Sequence, residues 1–306
     1  VLLKIANLAA VFTGAGFAGK RGRHPVAADC GYLPGPVDIV CSRETGCIVS
    51  MGRSGTLPDV VGATIWDATG CFATAAWTDA HTHAAFAGDR SSEFFQRWSG
   101  LDYAEIAARG GGIHRTVSDT AKASDDAIEQ QLAGYLSAML AQGVGMVEVK
   151  SGYGGTPEGE LRLLRLIHRV RSSAAAQGMV VKSTFLGLHA LPAGWAENDY
   201  CDAMIGLLPE IAEQKLSDFA DAFPEKGFFS LDSTERFLRA AQRHGLGIRL
   251  HADEITPVGA AQAGVRLGAL SVDHLECADA GGIAALAGSD TVAVLLPATA
   301  LYLGLN

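Results

Sequence analysis

The sequence predicts an α/β protein: a TIM-like (β/α)8 barrel that stops before its eighth strand, preceded by a small β-sandwich-like subdomain. Three observations predict it. From Cys71 onward, short apolar runs alternate with amphipathic stretches of helical period, the rhythm of a parallel sheet with right-handed crossovers. The strand candidates in that region number one fewer than a closed barrel needs. Residues 1 to about 70 have no helical period and instead carry runs such as VDIVC and CIVSMG between Gly, Pro and Asn/Asp signals. The expected division is therefore a partial β-rich subdomain over 1–70 and a barrel, truncated before strand 8, over 71–306.

Within the first region, the Gly-, Arg- and Pro-containing stretch Gly14–Pro36 reads as loop. The barrel strands are expected at CFATAAWTDA, VGMVEVK (144–150), MVVKSTFLGLH (179–189), SDFADAF (217–223), GIRLHA (247–252), LSVDH (270–274) and TVAVLLP (291–297). Helices fall between them. Ser124 caps a helix whose stripe is Ile128, Leu132, Tyr135, Leu136 and Met139, ended by Gly143. Thr156 and Pro157 form an N-cap and first-turn pair, turning Leu161, Leu164 and Ile167 inward. Ser230 or Asp232 starts a helix through Phe237, Leu238 and Ala241, with Gly245 just past its end. No GxGxxG joins a strand to a helix; Gly110, Gly111 and Gly112 follow a helical pattern, so a nucleotide-binding sheet is not indicated.

The 306 residues are 48% hydrophobic with 37 glycines and a net charge of −9. That acidity argues against nucleic acid or an anionic membrane as partner, because both select a basic face. No apolar run approaches the ~20 residues of a membrane span, and no signal peptide opens the chain. Cys30, Cys41, Cys47, Cys71, Cys201 and Cys277 show no CxxC spacing and read as reduced thiols of a cytoplasmic protein. A start at Val1 and an uncapped end at LYLGLN predict a fragment of a longer polypeptide.

Four histidines then draw attention: His81 and His83 in TDAHTH, His251 in IRLHADE and His274 in SVDHLE. Side chains alternate along an extended segment, so both imidazoles of a His-x-His pair face one way. Active groups of a barrel collect at the C-terminal strand ends, where all four fall. Three imidazoles leave an open position on one divalent metal, Zn(II) or Fe(II). Glu254, three residues past His251, is placed to shuttle a proton. His24, His114, His168 and His244 read as ordinary surface or core histidines.

These strings resemble the amidohydrolase superfamily. DAHTHAAFAGDR, ARGGGI, VEVKSGYG, TFLGLHALP, LHADE, GALSVDHLE and TVAVLLP resemble, within it, the imidazolonepropionase family of histidine degradation. The resemblance runs from about Asp79 to the end. It implies hydrolysis of 4-imidazolone-5-propanoate to N-formimino-L-glutamate, with His81, His83 and His251 on the metal. Metal-bound hydroxide would attack the ring carbonyl, His274 would steady the oxyanion and Glu254 would protonate the leaving nitrogen. Arg90 and Tyr153 would hold the substrate's carboxylate, the alternative for Arg90 being a salt bridge with Asp89 or Glu93. His189 would contact substrate, the alternative being a bond to backbone. Lys150 reads as an ion-pairing residue near the barrel mouth, and the family also implies a homodimer.

Two departures qualify the match. The family's strand-8 Asp does not appear in the chain, which predicts that residues 1–306 alone are inactive or fold poorly. Trp77 is bulkier than the aliphatic residue expected at a position packed on the barrel. The rival readings are another cyclic amidohydrolase or deaminase of the superfamily, which would have no carboxylate to grip, and a metal-binding fragment without catalysis.

Overall fold

In the computed structural model, which describes residues 1–22, 24–58, 60–101, 105–106 and 109–304, the chain forms two units, Val1–Ala76 and Trp77–Asn306. In the first, β1 (Leu2–Phe12) lies at the centre of one five-stranded sheet. It pairs antiparallel with β2 (Tyr32–Ser42), which pairs antiparallel with β3 (Ile48–Arg53). It also pairs in parallel with β4 (Thr64–Asp67) and β5 (Phe72–Thr74). Leu8, Val11, Val37, Ile39 and Ala68 form the buried cluster of this unit. The described residues form a single sheet rather than the two layers of a sandwich. The loop expected through Pro36 ends sooner, at Tyr32, where β2 begins.

The second unit is a seven-stranded sheet with every neighbouring pair parallel and the strands in chain order. They are β6 (Trp77–Asp79), β7 (Val144–Lys150), β8 (Val180–Leu188), β9 (Phe219–Ala222), β10 (Gly247–Ala252), β11 (Ser271–His274) and β12 (Val292–Val294). The predicted strand CFATAAWTDA is two strands: β5 ends in the first unit and β6 opens the second. Neighbouring strands lie ~4.8 Å apart, so β6 and β11 would be on the order of 24 Å apart in a flat sheet. Instead His81, just past β6, lies 2.7 Å from Asp273 of β11, and Arg249 of β10 donates to the Ala80 carbonyl at 2.7 Å. The sheet is therefore curled.

Helices pack outside it where the caps predict. Ser124 Oγ accepts from Ala127 N–H to start α3 (Asp125–Ala141), α1 (Ser91–Trp98) and α2 (Gly112–Lys122) having come before. Thr156 Oγ1 accepts from Gly159 N–H, with Pro157 in the first turn of α4 (Pro157–Ala176). After α5 (Glu197–Glu213), Ser230 caps α6 (Leu231–Arg243). Leu164, Phe185, Tyr200, Met204, Phe237 and Leu250 anchor the larger core between sheet and helices. Two aromatic expectations fail. Tyr135 leaves the α3 stripe, half-exposed and stacked on Phe86 at 5.9 Å between ring centroids. Trp77 is 61% exposed, because its strand is an edge of the sheet.

Candidate metal centre

β6 ends at Asp79, so His81 and His83 lie just beyond the strand rather than in it. Thr82 keeps the segment extended along β7: its Oγ1 donates to the Glu148 carbonyl at 2.6 Å, and its own carbonyl accepts from Lys150 N–H at 3.0 Å. The two imidazoles consequently face the same side, their Nε2 atoms 3.1 Å apart. His83 Nε2 is also 3.2 Å from His251 Nε2, at the end of β10. His274 joins from β11, and His81, His251 and His274 can each offer a ligand atom within 4.8 Å of the others. All four sequence-predicted histidines thus meet in one cluster. His274 and Leu275 hold positive φ, 82° and 73°, an uncommon conformation for side-chain-bearing residues at the point where the strand ends. His24, His114, His168 and His244 are exposed and lie outside the cluster.

Carboxylates behind the histidines fix which nitrogen faces the cluster. Asp273 Oδ2 is 2.7 Å from His81 Nδ1, and Asp221 Oδ2 is 3.0 Å from His251 Nδ1. A proton on each Nδ1 leaves a bare lone pair on each Nε2. Both face His83 Nε2, at 3.1 and 3.2 Å. The single ring proton of His83, whose Nδ1 has no hydrogen-bond partner among the described residues, can satisfy at most one of the two contacts; the other sets lone pair against lone pair, which a cation between them relieves. Two nitrogens on a tetrahedral Zn(II), each ~2.0–2.1 Å from it, stand roughly 3.3 Å apart. The donor set and its spacing fit a divalent metal.

Charge separates the histidines further. Burial drives His81 and His83 well below the ordinary imidazole pKa, aided by Lys150 for His81 and by His189 for His83. Burial also lowers His251 against the pull of Asp221. Burial works against a proton on His274 as well, but Glu276, Glu254 and Asp273 outweigh it and raise its pKa. Glu254, with its carboxylate 3.5 Å from His274 Nε2, is itself raised by burial. The cluster therefore holds three neutral imidazoles beside one that favours its proton.

Lys150 is not at the mouth but wholly buried beneath the histidines. Its Nζ donates to Glu148 and to Asp221, both at 2.8 Å, and lies 3.8 Å from Asp273. Burial alone would raise the Asp221 pKa, yet His251 and Lys150 hold it well below the usual carboxylate range. Arg249 completes the layer, 3.4 Å from Asp273. Sequence reading missed Glu148, Asp221, Arg249 and Asp273. Their signal was present, since charged residues are depleted inside strands. It also missed Asp253, beside Glu254, whose carboxylate accepts from Gly259, Ala260 and Ala261 N–H at 2.9–3.1 Å and so pins the HADE turn to the helix Ala260–Leu267.

The remaining predicted residues line one side. Tyr153 has its ring 5.7 Å from that of His83 and 5.2 Å from that of His189. It also lines a cavity of about 440 Å³ with Arg90, Phe86, Thr116 and Tyr135. Arg90 borders this cavity while donating twice to Glu93, at 2.8 and 3.0 Å, so the salt-bridge alternative is present. His189 is buried and its Nδ1 bonds the Gly152 carbonyl at 2.9 Å. That is the backbone alternative, but its ring still stands 5.0 Å from His83. All six cysteines are free, and no helix among the described residues is long and apolar enough to cross a membrane.

Comparison with known proteins adds relatives of known name. No family model matches the chain. Imidazolonepropionase of Flavobacterium johnsoniae is 40% identical over 281 residues, 91% of this chain and 68% of the relative. The enzyme of that name from Cupriavidus pinatubonensis is 43% identical over 270 residues, 87% of this chain and 63% of the relative. The chain thus spans about two thirds of the length of these curated relatives. Among solved structures, an amidohydrolase from a Sargasso Sea environmental sample matches with TM-score 0.59 at 20% identity, covering 97% of this chain and 64% of that one. Atrazine chlorohydrolase of Arthrobacter aurescens, solved with zinc, matches with TM-score 0.63 at 15% identity, covering 99% and 67%. These structures share the fold, while the sequence relatives carry the assignment: the chain belongs to the imidazolonepropionase family.

Proposed function

We propose that the protein containing this chain hydrolyses 4-imidazolone-5-propanoate to N-formimino-L-glutamate, using one divalent metal, Zn(II) or Fe(II), on His81, His83 and His251. The observation that carries the reading is the position of Tyr153, which stands between the histidine cluster and the cavity bordered by Arg90. A substrate with a hydrolysable ring at one end and a carboxylate at the other matches those two environments. When bound, the metal supplies Lewis acidity and an acidified water. The chain's own groups do the rest. His274, protonated, donates to the oxygen that gains charge as the ring carbonyl is attacked. Glu254 takes a proton from the water and returns it to the departing ring nitrogen. Tyr153 and His189 orient the substrate. Arg90 exchanges part of its bonding with Glu93 for the propionate, a planar acceptor suited to its fork.

The curled sheet leaves β6 and β12 as its two edges. An eighth strand between them would close a (β/α)8 barrel and is the place for a further carboxylate ligand. A cytoplasmic homodimer is the assembly the family suggests.

Arg90→Met in the full-length gene product tests the carboxylate contact. The expected result is a KM raised more than about tenfold with metal content unchanged. An unaltered KM would take Arg90 out of substrate binding.

A further inference from the structure

Glu160 sits in the first turn of α4 and is buried. Its carboxylate turns back onto the loop before the helix. There Oε2 accepts from Gly152 N–H at 2.8 Å and Oε1 from Gly154 N–H at 2.5 Å. These are the amides of the two residues that flank Tyr153. The Ser151 hydroxyl, one residue earlier, accepts from Leu186 N–H at 3.1 Å. Among the described residues no lysine or arginine is paired with Glu160. A carboxylate buried without a cation is costly, and burial raises this one to about 7. Helix capping does not account for it, because Thr156 already supplies the N-cap.

What these two bonds hold is the substrate-facing side of the site. Gly152, with φ of 105°, leaves no room for a side chain, whose Cβ would meet His189 Nδ1 at 2.8 Å. Its carbonyl receives the His189 Nδ1–H, which turns that ring's other nitrogen away from the backbone. Gly154 lies flat on the helix start, where a Cβ would be 2.2 Å from Glu160 N. The SGYG motif is thereby a backbone surface shaped to meet one carboxylate. We propose that Glu160 is the positioning residue of this face: by clamping the Gly152 and Gly154 peptides it sets the orientation of both Tyr153 and His189 toward the substrate. The inference rests on the reading of Tyr153 as a substrate contact.

The test measures hydrolysis of 4-imidazolone-5-propanoate by the full-length gene product, its Glu160→Gln and Tyr153→Phe variants, and the double variant, with metal content determined for each. Gln keeps the size of Glu but offers one acceptor where two are needed. Glu160→Gln should raise KM roughly tenfold, with kcat within about threefold and metal content unchanged. The double variant should raise KM by less than the product of the two single effects, because part of what Glu160 does acts through Tyr153. A parental KM in Glu160→Gln, or additive effects in the double variant, overturns the proposal. A parental KM in Tyr153→Phe, or no turnover by the parent, removes the underlying functional reading instead. If Glu160→Gln does not fold, Glu160→Asp, which draws the carboxylate back by one methylene, is judged by the same KM criterion.

Discussion

Glu254 and His274 are 3.5 Å apart, and burial raises one while surrounding carboxylates raise the other. A carboxyl and an imidazole this close, each holding its proton more tightly than usual, are suited to passing one between them. Glu254→Gln should lower kcat by at least about a hundredfold while metal content stays intact; turnover within a few-fold of the parent would remove Glu254 from the mechanism. Glu160 makes a second, purely thermodynamic prediction. Its folded pKa of about 7 exceeds the 4.5 of an ordinary glutamate, so the folded chain keeps a proton that the unfolded chain releases. This contribution to stability is complete below about pH 4.5 and is lost as the pH rises through about 7, at most about 3 kcal/mol. Urea unfolding of Glu160→Gln should show a flatter pH dependence across that window, and an unchanged slope would mean that Glu160 does not titrate there. Glu254 was legible in the sequence because it follows a strand-end histidine. Glu160 was not, because a glutamate in the first turn of a helix is ordinary until its contacts are known.

At the scale of elements, the strand ends carry the chemistry and the strand interiors prepare it. The histidines were readable from spacing alone, since alternation and strand-end position follow from backbone geometry. The layer beneath them was not, because pairing Asp221 with His251, or Asp273 with His81, needs the curl of the sheet. Those carboxylates set the histidine tautomers, so Asp221→Asn and Asp273→Asn should each weaken metal binding about 10- to 100-fold. Competition with a chelator measures this, and parental affinity in both variants would assign the carboxylates to folding alone. Local pattern misjudged Trp77 and Tyr135 for the same reason. An apolar residue on period reads as core, whereas Trp77 lies on a sheet edge and Tyr135 at a cavity.

At the scale of the molecule, the alternating rhythm gave the parallel sheet and its strand order, while the single N-terminal sheet and the division at Ala76 required the pairing of β5 with β1. Among the described residues, the outer sides of β6 and β12 have no strand partner, a site for aggregation. A polypeptide limited to residues 1–306 should therefore melt lower and aggregate more readily than the same chain extended by the remaining third of its relatives' length. Equal melting temperatures and solubility would mean that the seven-stranded sheet is self-sufficient. Turnover of 4-imidazolone-5-propanoate by the full-length gene product, before and after metal removal, tests the proposed metal-dependent hydrolysis of a carboxylate-bearing substrate. Hydrolysis with one metal per chain, abolished by chelation and restored by Zn(II) or Fe(II), is expected. Undiminished hydrolysis by the metal-free protein, or none by the metal-loaded protein, would contradict it.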